Sequence, residues 1–113
     1  MKQVFDVPER GDVVWLTLFP RNRPIPPARR PAVVLSTQAY NVRVGLAILC
    51  PVVSLARGYP FEVPVPAGLP VAGVILADQA MNLDWRAHRT ERICSLPPGV
   101  VEDALGKLRA ILR

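Results

Sequence analysis

The octapeptide Arg29-Arg30-Pro31-Ala32-Val33-Val34-Leu35-Ser36 constrains this chain more than any other stretch. Its segment 32–35 is continuously apolar and half valine, which suits a strand covered on both faces rather than one with a wet side. Pro31 has no N–H, so it is tolerated only near the beginning or the edge of such a strand. Arg30 is therefore expected at a rim with a rigid core behind it. A cation held that way can grip a phosphate, because a guanidinium offers five donors in fixed geometry and stays charged at any working pH. An arginine that only ends a strand and pairs with a carboxylate would satisfy the same eight residues.

The flanking sequence fits short strands. Residues 13–18 are rich in β-branched and aromatic side chains, with Val14, Leu16 and Leu18 on one face. The segment 19–31 then holds Pro20, Pro24, Pro26, Pro27 and Pro31 among four arginines, too many residues without an N–H for a helix or a ladder. It is expected as a long, stiff surface loop, either functional or a solvated connector. A polar connection over 38–43 leads to a core strand over 44–53 and a turn over 54–58. Tyr59 begins another strand, with Pro60 marking an edge, and 73–76 forms a further one. Residues 77–86 read as irregular, and 89–96 as the last strand. Only the C-terminus reads as a helix: Val101, Ala104, Leu105, Leu108, Ile111 and Leu112 recur at three and four, after Pro97 and Pro98. The expected fold is mainly β, a small antiparallel barrel with a C-terminal α-helix, in a single domain spanning 1–113.

The net charge of +5 matters less than its placement. Between Val13 and Phe61 there is no Asp or Glu, while Arg21, Arg23, Arg29, Arg30, Arg43 and Arg57 fall inside that span. A surface built from it lacks internal counter-charge and attracts a polyanion, either a nucleic acid or an acidic protein segment. No apolar run approaches the ~18 residues that cross a bilayer. Lys2 is followed by Gln, Val, Phe and Asp6 rather than by an apolar leader, so a cytoplasmic protein is expected. Cys50 and Cys94 have neither CxxC spacing nor a histidine cluster beside them, and are expected as buried, reduced thiols with no metal site.

Five blocks together resemble the MazF/PemK toxins in order and spacing over nearly the whole chain. They are Gly11-Asp12-Val13-Val14-Trp15, Arg30-Pro31-Ala32-Val33-Val34-Leu35-Ser36, Gly58-Tyr59-Pro60-Phe61-Glu62-Val63, Ala77-Asp78-Gln79, and Trp85-Arg86. The resemblance implies a homodimer of SH3-like barrels that cuts single-stranded messenger RNA sequence-specifically, with no metal or other cofactor. It also implies a partner, an acidic antitoxin of the MazE type. The implied chemistry is transphosphorylation, in which a ribose 2′-OH attacks its own 3′ phosphate. Such a step needs a base, an acid for the 5′ oxygen, and donors for the charge that builds on phosphorus.

The resemblance carries the catalytic arginine onto Arg30. A guanidinium hardly ever gives up its proton, so the role expected is charge stabilisation rather than base duty. The family threonine before the Gly-Tyr-Pro-Phe block is replaced by Val53, which has no hydroxyl to donate. Ser54 follows directly, and can substitute only if the strand has ended or bulged there, because successive strand residues face opposite ways. Ile25 stands where some members place a carboxylate. Arg21, Arg23, Arg29 and Arg57 are candidates for RNA phosphates, Gln79 for a base edge, and Arg86 for a phosphate or a stacked base. His88 is the only histidine, so no two-histidine mechanism fits within one chain. Two alternatives remain: a homologue that binds RNA or antitoxin without turnover, and a CcdB-like gyrase poison. The second usually ends in Trp-Gly-Ile, whereas this chain ends Ala110-Ile111-Leu112-Arg113.

Overall fold

The computed structural model describes residues 6–19 and 26–112. Within them a curled antiparallel sheet is built from β1 (Asp12–Leu18), β2 (Ala28–Val34), β3 (Leu46–Val53), β4 (Glu62–Pro64), β5 (Val74–Leu76), β6 (Met81–Asp84) and β7 (Glu91–Ser95). Two helices, α1 (Gln38–Val44) and α2 (Pro98–Leu112), complete the fold. The strand order is β4-β5-β3-β2-β1-β7, with β6 also pairing β3. β3 thus has two partners on one side: β6 along its first half (Leu46↔Asp84 to Leu49↔Met81) and β5 at its end (Val52↔Ile75, Val53↔Val74). This mainly β architecture with a C-terminal helix is the expected one.

Two apolar clusters sandwich the sheet, and the period-two alternation of strand side chains sorts residues between them. Val13, Val33, Leu35, Cys50 and Val52 pack with Val63, Ile75 and the α2 residues Val101, Ala104 and Leu105. On the opposite face Val14, Ala32, Val34, Ala47 and Leu49 pack around Trp85. Ala32, Val33 and Val34 are at most 1% exposed, so the strand of the octapeptide is covered on both sides, as its composition demands.

Four local expectations are corrected. Residues 28–31, expected as the end of the Pro-rich surface loop, open β2 and pair with β1 from Leu18↔Ala28 to Trp15↔Pro31. Residues 38–44 form α1 rather than a polar connection. Thr37 accepts from the Tyr40 N–H at 3.3 Å as the N-cap, and Gly45 closes the helix at φ 80° with its N–H on the Asn41 carbonyl. Val42 and Val44 hide this helix from a propensity reading, since β-branched residues are mediocre helix formers and both remain exposed. Residues 81–84 are a strand, β6, because β3 offers them a ladder; Met-Asn-Leu-Asp alone carries little strand signal. Tyr59 lies in a turn, and the strand starts only at Glu62. Of the cysteines, Cys50 is buried and Cys94 half-buried, and both are free thiols.

Candidate active site

Arg30 sits on an overhang. β2 pairs with β1 along its whole length, Leu16↔Arg30 included, but its ladder with β3 is recorded only over Ala32↔Pro51, Val33↔Cys50 and Val34↔Leu49. That ladder stops at Pro31, as the missing N–H predicts. Continuing its register by two residues sets Arg30 abreast of Val53. Alternation places both on the Ala32–Val34 face, away from α2. The Arg30 side chain is exposed, and its recorded hydrogen bond is from Nη1 to the Arg29 carbonyl at 3.3 Å. Among the described residues no carboxylate pairs with it.

The neighbouring Arg29 is held differently. It projects to the other face, where its guanidinium stacks 4.7 Å from the Trp15 ring centroid and lies 3.5 Å from Glu91. The guanidinium pair of the sequence is therefore split across the sheet by the strand's own alternation.

β3 ends at Val53, and Ser54 is exposed at the first position beyond it. The condition for a serine to replace the absent threonine, that the strand has already ended, is met. Gly73, not singled out in the sequence, makes this exit possible. A Cβ built on it would fall 2.0 Å from the Val53 carbonyl oxygen and 3.0 Å from Ser54 Cα, and its φ is +125°. A glycine as the first residue of a predicted strand is the signal that could have marked it.

The turn after Ser54 is braced by acids from beyond the acid-free span. Glu62 accepts the Arg57 N–H on Oε2 at 2.9 Å and the Gly58 N–H on Oε1 at 3.0 Å. Arg57 itself is exposed and, among the described residues, has no carboxylate partner. The Tyr59 hydroxyl lies 2.7 Å from both carboxylate oxygens of Asp78, and this hydrogen bond pushes the phenol's pKa up. Gln79, next to Asp78, is exposed in the 77–80 bulge between β5 and β6, and that bulge lies against β3 where Cys50 Sγ reaches the Ala77 carbonyl at 3.8 Å.

Arg30, Val53 and Ser54 thus lie at the exit of β3, Arg57 follows on the turn after it, and Gln79 flanks β3 beside Cys50. Arg86 does not join them along the strand: it follows β6, whose Asp84 pairs with Leu46 at the entry of β3, roughly 23 Å from Val53 along an extended strand. Its guanidinium lies 4.9 Å from the Trp85 ring, and that indole donates Nε1–H to the Asn41 carbonyl at 2.9 Å. His88 is anchored to β1. Its Nδ1 is 2.9 Å from the Thr17 carbonyl, and its own carbonyl accepts the Thr17 N–H. Arg21 and Arg23 lie outside the described residues. Among the described residues no three His, Cys, Asp or Glu side chains converge as metal ligands, and no helix is long and apolar enough to cross a membrane.

Residues 9–112 match the family model described as PemK-like, MazF-like toxin of type II toxin-antitoxin system. The chain is 34% identical over 106 residues to the endoribonuclease toxin MazF of Escherichia coli K12, covering 94% of this chain and 95% of that one. It is 36% identical over 109 residues to the endoribonuclease toxin ChpB of the same organism, covering 92% and 93%. A MazE–MazF crystal structure from Deinococcus radiodurans superposes with a TM-score of 0.91 at 47% identity, covering 96% of this chain and 97% of that one. With its five sequence blocks and its curled sheet, the chain belongs to the PemK-like, MazF-like family of toxins of type II toxin–antitoxin systems.

Proposed function

We propose that this protein is a sequence-specific, metal-independent endoribonuclease toxin that cleaves single-stranded messenger RNA. The ribose 2′ oxygen attacks the adjacent phosphorus, the bond from phosphorus to the 5′ oxygen breaks, and the products are a 2′,3′-cyclic phosphate and a 5′-OH. The 2′ proton leaves to a base and a proton is delivered to the departing 5′ oxygen. One observation carries this reading. Arg30 is exposed, free of carboxylates among the described residues, and rooted in a strand whose last three residues, Ala32, Val33 and Val34, are buried. A charge held by a rigid strand costs no reorganisation when negative charge builds on the phosphorane.

In this reading Arg30 stabilises the transition state and Ser54 supplies the hydroxyl that Val53 lacks. Arg57, with Arg21 and Arg23 of the first loop, holds flanking phosphates. Gln79 reads a base, and Arg86 holds RNA further along. A second copy of the chain completes the groove. An acidic antitoxin of the MazE type is the partner that fits Arg30 and Arg57, whose guanidinium groups have no carboxylate partner among the described residues. The name of the Deinococcus complex supports that partner class. Val53 favours one competing reading, a homologue that binds without turnover.

The test is incubation of purified protein with a long unstructured RNA in EDTA, with mapping of the cut ends. Cleavage at a short recurring motif with cyclic phosphate ends, abolished in Arg30→Ala, is the expected result. RNA left intact by the wild type but cut by Val53→Thr would assign the chain to binding alone.

A further inference from the structure

We propose that Tyr59 and Asp78 form a positioning pair that sets the Gln79 amide against one unstacked base of the bound RNA, an assignment that rests on the ribonuclease reading above. The two residues lie on separate turns, 19 positions apart, and their side chains meet with the phenol oxygen 2.7 Å from each carboxylate oxygen. Gln79 is the residue directly after Asp78. The phenol engages the Gln79 side chain as well, a hydrogen bond that opposes the larger upward push of Asp78 on its pKa, so phenol, carboxylate and amide form one cluster.

The rest of the bulge is already anchored. The Ala77 N–H bonds the Phe61 carbonyl at 3.0 Å, and the Gln79 N–H bonds the Leu76 carbonyl at 3.1 Å. Those bonds secure the path of the chain. The Tyr59–Asp78 contact is exposed, where a hydrogen bond adds little to stability because water competes for both partners. Its effect is geometric: it locks the turn carrying Arg57 to the bulge carrying Gln79. Glu62 holds the other side of that turn through the Arg57 and Gly58 amides. The first two acids after the long acid-free span are thus both engaged as braces, and neither neutralises an arginine at the β3 exit.

The phenol suits this role. Its hydrogen bond to Asp78 raises its pKa above the ordinary 10.0, so it remains a donor throughout the neutral and mildly alkaline range. Its ring is set edge-on to Phe61, with centroids 6.4 Å apart, so removing the hydroxyl leaves the packing in place. A glutamine amide offers both donor and acceptor and can pair with a base edge, provided its direction is held.

The experiment compares wild type with Tyr59→Phe, Asp78→Asn, Gln79→Ala and the Tyr59→Phe/Gln79→Ala double variant. Each is incubated with a pool of random-sequence RNA, and the cut sites are sequenced. Tyr59→Phe and Gln79→Ala are expected to relax the same single position of the motif, roughly tenfold in discrimination. In Tyr59→Phe, kcat on the best substrate should stay within about twofold and the melting temperature should be unchanged. The double variant should be no less selective than Gln79→Ala alone, because Tyr59 acts only through Gln79. A Tyr59→Phe variant that loses kcat with the motif intact, loses stability only, or adds its effect to that of Gln79→Ala would overturn the proposal. If the wild type leaves the pool uncut, the ribonuclease reading fails. Selection of bound oligonucleotides from the same pool then decides the positioning pair: a shared loss of base preference supports it, and a wild type without base preference refutes it.

Discussion

Asn41→Ala is expected to destabilise the protein by about 3–4 kcal/mol, a large share of the ~5–15 kcal/mol that holds a domain of this size together. Asn41 is 0% exposed. Its Oδ1 accepts from Ser36 Oγ at 2.5 Å and its Nδ2 donates to the Pro8 carbonyl at 2.7 Å, while Ser36 Oγ accepts the Ile48 N–H at 2.8 Å. Truncation removes two short buried hydrogen bonds, about 1 kcal/mol each, and strands the Ser36 hydroxyl and the Pro8 carbonyl, about 1 kcal/mol or slightly less apiece. The Trp85 indole keeps its bond, because that bond is to the Asn41 backbone. The knot joins the N-terminal segment, the end of β2, α1 and the start of β3, so its loss should be felt globally. Urea denaturation would read it as a fall in midpoint at unchanged m-value. Ser36→Ala combined with Asn41→Ala should cost clearly less than the sum of the two single changes. A loss below about 1 kcal/mol for Asn41→Ala would refute the reasoning, because it would mean that water enters and replaces the amide without penalty.

Other expected outcomes concern the site. Gly73→Ala should cost about 2–4 kcal/mol, and it should impair RNA cleavage more than its melting temperature explains, since the new methyl must displace the Val53–Ser54 peptide. Ser54→Ala should lower kcat by about 10²-fold, and Val53→Thr in that background should restore most of it, as single-turnover assays would show. Cys50, pushed up to about 12 from 9.0 chiefly by burial, should resist thiol reagents in the native protein. The unfolded chain gives up that proton at lower pH, so stability measured by urea titration should fall as pH rises from 9 toward 12. RNA affinity should fall steeply with salt, with a log–log slope of roughly −2 or steeper if three or more arginines meet phosphates.

The sequence by itself determined what depends on local rules. The uninterrupted apolar run 32–35 required a strand buried on both faces, and Pro31, which has no N–H, marked where its ladder with β3 ends, which is why Arg30 lies on an overhang. The three-and-four spacing of Val101, Ala104, Leu105 and Leu108 was enough for α2, whose buried face is built on those residues. The five blocks were enough for the family.

Tertiary structure decided the rest, for reasons that no local window contains. α1 exists because Thr37 and Gly45 cap it and Asn41 ties it to distant carbonyls, in spite of its valines. β6 exists because the first half of β3 lacked a partner on one edge. Arg29 and Arg30, adjacent in the chain, were assigned opposite faces by strand alternation, and among the described residues only Arg29 met a carboxylate. Ser54 became a candidate donor because β3 stops one residue earlier, against a glycine that is 19 positions away in sequence. Periodicity and breakers specify the strongly patterned strands and helices, but not α1 or β6. Which side chains meet is set by register and by where each ladder ends, and those are properties of two strands at once.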